Sequence, residues 1–157
     1  MNKSEQIARL RQIRTRNIGP MTYSLLMRRY GSAEAAIAAI PTLAQRGGSK
    51  ISLASIASVT AELESIDAAD AVLLWRDSEY YPERLAQFDD APVCITARGN
   101  LHLLTQPMIA IVGARNASIN AQRHAHNIAS ELGKHGYIIV SGMARGIDAA
   151  AHRGALD

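Results

Sequence analysis

Residues 108–154 read MIAIVGARNASINAQRHAHNIASELGKHGYIIVSGMARGIDAAAHRG, and this stretch decides the fold. An apolar, β-branched run, Met108-Ile109-Ala110-Ile111-Val112, stops at Gly113. The polar turn Ala114-Arg115-Asn116-Ala117-Ser118 follows. Ala121, Ala125, Ile128, Ala129 and Leu132 then recur on one helical face, closed by Lys134-His135-Gly136. A second apolar run, Tyr137-Ile138-Ile139-Val140, stops at Ser141-Gly142, and another helical segment begins near Gly146. Short continuous apolar runs, unlike alternating ones, mark strands covered on both faces, as in a parallel sheet. The order strand, glycine turn, helix, strand, glycine turn, helix predicts the first βαβ unit of a doubly wound α/β domain.

Both glycine turns fall at the carboxyl end of a strand and just before a helix. At that edge, free backbone N–H groups and a positive helix end can hold an anion. Each turn carries a guanidinium, Arg115 in the first and Arg145 in the second. Two phosphate-binding turns side by side is one reading of the pattern. The other is that Gly113 and Gly142 serve tight turns while the arginines are merely solvated, because single glycine motifs discriminate weakly. The pairing of two such turns on neighbouring strands favours phosphate.

Gly113-Ala114-Arg115 after an Ile-Val strand, followed by Ser141-Gly142-Met143-Ala144-Arg145-Gly146-Ile147-Asp148-Ala149-Ala150-Ala151-His152, closely resembles the DNA-processing protein A family (DprA, also called Smf). Tyr81-Pro82-Glu83-Arg84-Leu85, the Ala91-Pro92 turn and a strand ending at Gly99 are similar to the same family. The resemblance implies a small helical domain before an extended Rossmann domain. It implies a cytoplasmic, non-catalytic protein that binds single-stranded DNA, protects incoming DNA in natural transformation and loads the RecA recombinase. Self-association as a homodimer in the complete protein is implied as well. On that pattern Arg115 holds a strand phosphate, helped by the backbone of Gly113-Ala114 and Ser141-Gly142. The helix starting near Gly146 adds its positive end, and Arg145 is a further contact. Guanidinium forks suit phosphate oxygens. The first turn reads Gly-Ala-Arg where Gly-Ser-Arg is common, which removes a hydroxyl donor. A doubly wound sheet needs more strands than the two found here, so the expectation is the amino-terminal part of a longer protein.

Composition bounds these readings. The chain has 157 residues, 48% of them apolar, which is enough for one core or two modest ones. A lone Cys94 excludes a disulfide framework. MNKSEQIARLRQIRTRN lacks an apolar h-region, and no apolar run reaches membrane-spanning length, so neither a signal peptide nor a membrane partner is expected. Charge is segmented. Residues 1–50 carry nine cations against Glu5 and Glu34, a net +7; residues 51–100 carry three against nine acids, −6; residues 101–157 carry five against three, +2.

The basic head predicts helices from Ser4, as N-cap, to Arg14, from Pro20 to Tyr30, and from Ala33 to Ile40, where Pro41 ends the third. Ile18-Gly19-Pro20 breaks the first pair and Gly31 the second. Helix, Ile-Gly-Pro turn, helix resembles a helix-hairpin-helix or sterile-alpha-motif-like head. Arg16, Gly19 and Arg28 are therefore secondary candidates for DNA contact; a solvated surface is the simpler account of them. Leu43–Arg46 reads as a short helix, Gly47-Gly48-Ser49 as a flexible break, Ser52–Ile56 as weakly helical, and Thr60 as the cap of a helix over Ala61–Ala68. The domains expected are thus a helical one over 1–67 and an incomplete Rossmann-like one over 70–157. Ala71–Trp75 and Val93–Ala97 read as strands that extend its sheet.

Catalytic constellations are thin. Cys94 lies in a strand and reads as a small buried hydrophobe. His124 and His126 diverge on a helix and make a poor metal pair. Asp148 and His152 share a helix face and read as an orienting or capping pair. Gly113 lacks the second and third glycines of a dinucleotide fingerprint, so no nicotinamide cofactor is expected. The competing class is a Rossmann enzyme that binds or hydrolyses nucleotides, of the phosphoribohydrolase type; its Pro-Gly-Gly-x-Gly-Thr signature is absent.

Overall fold

Pro20 and Gly31 bracket a helix for opposite reasons: the proline ring is preset for a first helical turn, and Gly31 adopts the left-handed φ of +76° that ends one. The computed structural model describes residues 2–46 and 51–157. Its elements run α1 (Lys3–Arg14), α2 (Pro20–Tyr30), α3 (Ala33–Arg46), α4 (Ile56–Ala68), β1 (Val72–Trp75), α5 (Glu83–Ala86), β2 (Cys94–Ala97), β3 (Met108–Ala110), α6 (Ile119–Lys134), β4 (Ile138–Val140) and α7 (Ile147–Leu156). The chain divides into two compact units, 1–101 and 102–157. Gly47, Gly48 and Ser49 lie outside the described residues.

Three boundaries in the helical head differ from expectation, each through a local hydrogen bond or packing effect. α1 starts before Ser4, because the Asn2 side chain accepts the Glu5 N–H at 2.8 Å while the Ser4 hydroxyl donates to Glu34. α3 does not stop at Ile40 but continues through Pro41 to Arg46. Ile37, Ile40 and Ala44 are all buried there, so packing on both sides of the proline outweighs its missing N–H. α4 begins at Ile56, not after Thr60, because the Ser55 hydroxyl accepts the Ser58 N–H at 3.0 Å. Residues 52–55, read as weakly helical, are irregular.

The core of the first unit gathers Leu10, Tyr23, Leu26, Ile37, Ile40 and Val59 from the four helices, with Ile18 from the turn between α1 and α2. It also includes Trp75 and Val93 from the region of β1 and β2. These strands pair antiparallel with each other, from Val72 opposite Ala97 to Trp75 opposite Cys94. They do not extend the parallel sheet, as their apolar runs had implied; β3 and β4 form a separate two-stranded sheet. The reason is visible at α1. The Arg9 guanidinium lies 5.5 Å from the Trp75 ring centroid and donates from one nitrogen to both Asp77 carboxylate oxygens, at 3.0 and 2.9 Å. Cation–π contact and charge-assisted bonding thus fasten the hairpin to the helices.

The second unit is built on close approach. β3 and β4 run parallel, Met108 opposite Ile138 through Ala110 opposite Val140, and the Ile111 N–H continues the ladder to the Val140 carbonyl at 3.0 Å. Only three residues of each apolar run are strand. Ser118 caps α6 by accepting the Ala121 N–H. α6 buries Ala125 and Ala129, whereas Ala121 and Ile128 of the expected stripe are exposed. It packs on α7 through alanine and glycine; a Cβ on Gly154 would stand 2.1 Å from the His126 carbonyl oxygen. The parallel, glycine-turned part of a Rossmann-like sheet is therefore present as two short strands and two helices.

A candidate nucleic-acid interface

The two glycine turns meet. After β3 the chain passes Gly113 and Ala114, and the Ala114 carbonyl accepts the N–H of Ile147, the first residue of α7, at 3.3 Å. Gly146, just before it, holds φ at +85°, and a Cβ there would lie 2.3 Å from the Ala114 carbonyl oxygen. A Cβ on Gly113 would likewise come within 2.7 Å of the Ile147 side chain. The glycines are needed because each turn presses its backbone onto the start of α7.

This contact sets Arg115 and Arg145 on one groove of about 710 Å³, lined also by Gly142, Met143, Ala144 and Asp148. Both guanidiniums are exposed, and neither has an ion-pair partner among the described residues. Of the expected phosphate-binding residues, Arg115, Gly142 and Arg145 line the groove. Gly113, Ala114 and Gly146 form its support. The Ser141 hydroxyl is engaged elsewhere, donating to the Ile111 carbonyl at 2.6 Å and tying the two strand ends together. One of the free donors expected at the start of α7, the Ile147 N–H, is likewise taken by Ala114.

Met143, Ala144 and Asp148 were not legible as groove residues. Asp148 neither caps α7, whose N-cap is Gly146 without a side-chain bond, nor pairs with His152. The His152 Nε2 instead donates to the Gly142 carbonyl at 3.1 Å, and Asp148 Oδ2 lies so near Gly142 that a Cβ there would come within 2.6 Å. Only the tertiary fold of the second turn reveals this.

The helical head uses much of its charge internally. Arg9 binds Asp77 and Glu5, Arg11 donates to the Ala54 carbonyl at 2.9 Å, and Arg14 grips Glu62 at 2.6 Å. The basic first segment and the acidic middle one are thus partners of each other. Arg16, Gly19 and Arg28 remain exposed. Gly19 acts as the extended N-cap of α2, its carbonyl accepting the Tyr23 N–H at 2.9 Å. Burial pushes the Tyr23 phenol up to about 12 and raises the Cys94 thiol, so both stay protonated at neutral pH. His126 meets Asp157 at 2.8 Å.

Comparison with known proteins now decides the family. A family model described as DNA recombination-mediator protein A matches residues 72–157, more than half of the chain. The chain belongs to the DNA recombination-mediator protein A family. A second model, the DprA-like N-terminal HHH domain, matches residues 3–65, so the helical head is of helix-hairpin-helix type. The chain is similar to Protein Smf of Escherichia coli (strain K12). The two are 39% identical over 84 residues, which cover 54% of this chain and 22% of that protein. It is 42% identical over 76 residues to the DNA processing protein DprA of Streptococcus pneumoniae, covering 48% of this chain and 27% of that one. The corresponding Bacillus subtilis protein is 36% identical over 76 residues, 48% of this chain and 26% of that one. The chain thus spans about a quarter of the length of the relatives it matches. No helix among the described residues is long and apolar enough to cross a membrane.

Proposed function

We propose that this chain carries the phosphate-gripping part of a DNA-processing protein that binds single-stranded DNA, protects it during natural transformation and delivers it to the RecA recombinase. On this reading it acts in the cytoplasm, by binding and not by catalysis, and the complete protein works as a homodimer. The observation that carries the proposal is the pair of exposed guanidiniums on one groove, Arg115 and Arg145, without an ion-pair partner among the described residues and at the carboxyl ends of two parallel strands. Arginine forks bind phosphate oxygens bidentately, and exposed backbone at the glycine turns adds donors. The family match and the names of the relatives, DNA processing proteins, favour DNA over a small nucleotide.

The test is anisotropy of a labelled oligothymidine titrated with the 157-residue chain over a series of salt concentrations. Each phosphate neutralised on a single strand contributes about −0.7 to the slope of log K against log salt, so two arginines give a slope of about −1.4. Binding indifferent to salt, or no binding by the folded chain, would contradict the proposal.

A further inference from the structure

Asp148 is the anomaly of the groove. It is only 7% exposed, yet no hydrogen bond or ion pair reaches its carboxylate among the described residues. Its side chain lines the groove, where the carboxylate oxygens are open to a donor from a ligand. It lies in the first turn of α7, where negative charge is favoured by the helix N-terminus. A helix-end carboxylate beside two guanidiniums would weaken a site meant for phosphate alone. It fits a ligand that presents an anion and, nearby, an N–H donor. Beside it Met143 is 94% exposed, a flexible apolar surface suited to the face of a planar ring.

We infer that Asp148 reads the base of the bound nucleotide: the strand phosphate lies on Arg115 and Arg145, the base lies over Met143, and its amino edge donates to the Asp148 carboxylate. This rests on the phosphate reading of the groove. An ionised carboxylate only accepts hydrogen bonds. The cytosine N4 amino group satisfies it, as aspartate does elsewhere in base recognition. Thymine offers only N3–H, flanked by two carbonyls that repel a carboxylate. The groove therefore prefers cytosine to thymine.

The experiment displaces labelled oligothymidine from the chain with unlabelled oligodeoxycytidine or oligothymidine of equal length, using wild type, Asp148→Asn and Arg115→Ala. Wild type should favour oligodeoxycytidine by about fivefold, within what one charge-assisted hydrogen bond supplies. Asp148→Asn, whose amide both donates and accepts, should bring the ratio to one while binding persists; circular dichroism checks that it folds. A wild-type ratio of one with binding still dependent on Arg115 overturns the base-reading role and leaves the phosphate site standing. It would also be the result if the carboxylate met a strand-end hydroxyl, which both oligonucleotides share. A preference that survives in Asp148→Asn overturns it too. Failure of both oligonucleotides to bind would overturn the phosphate reading and this inference with it.

Discussion

Replacing Gly146 by alanine is expected to disrupt the junction of the two turns and abolish any binding that depends on the groove. At φ +85° and ψ −125° the residue occupies a region that L side chains rarely enter. The added Cβ would also meet the Ala114 carbonyl oxygen at 2.3 Å and the Arg115 carbonyl oxygen at 2.6 Å. Both obstacles are main-chain atoms of the turn that carries Arg115, so relief requires moving that turn away from α7. Backbone strain and overpacking together should cost about 3 kcal/mol or more. The buried cluster of this unit centres on Ala129, Ile139 and Ala151, which is little apolar surface to absorb such a loss. Thermal melts followed by circular dichroism should show the second unit destabilised. An unchanged melt would mean that the contact between the turns is not maintained in solution.

Gly154→Ala should have an effect of similar size for a different reason. Gly154 has an ordinary helical backbone, but its missing Cβ allows α7 to touch the His126 carbonyl of α6, where a methyl group would stand at 2.1 Å. The helices would have to separate, loosening Ala125, Ala129, Ala150 and Ala151, which are buried only because the approach is close. A loss of about 3 kcal/mol is expected. Gly133→Ala is the control. Gly133 also lies in a helix, and its nearest atom to a new Cβ is the Ala155 carbonyl oxygen at 3.9 Å, an ordinary contact. That change should stabilise by up to about 1 kcal/mol through helix propensity. Chemical denaturation of the two variants should therefore move in opposite directions; equal shifts would refute the account of the α6–α7 crossing.

What was legible in the sequence followed local chemistry. Pro20 and Gly31 mark the ends of α2 through backbone preferences that need no tertiary partner. The glycine stops after the two apolar runs place Arg115 and Arg145 correctly at the ends of parallel strands. What failed depended on distant residues. The apolar run of β1 resembles that of β3, but its partner was set by Arg9, Trp75 and Asp77, a contact across much of the first unit. Pro41 looked like a stop because its missing N–H is a local fact, whereas the burial of Ile40 and Ala44 is not. Asp148 seemed to belong with His152 on spacing, yet the second turn brings Gly142 between their roles: the imidazole bonds its carbonyl and the carboxylate packs on its Cα side. The first two segments carry opposite net charges, +7 over residues 1–50 and −6 over residues 51–100. They are complementary because Arg9 and Arg14 are matched by Asp77 and Glu62, whereas Arg115 and Arg145 of the second unit's groove have no ion-pair partner among the described residues.

The central claim is that the strand phosphate sits on that groove and not on the helical head. Its most direct measurement is the affinity of labelled oligothymidine for wild type, Arg115→Ala and Arg28→Ala at one low salt concentration. Arg115 and Arg28 are both exposed, so neither change should unfold the chain. Removing a phosphate-binding guanidinium costs about 1.5–3 kcal/mol, so Arg115→Ala should weaken binding by about tenfold or more while Arg28→Ala stays near wild type. Binding that is indifferent to Arg115→Ala but lost in Arg28→Ala would move the DNA to the helical head and contradict the account.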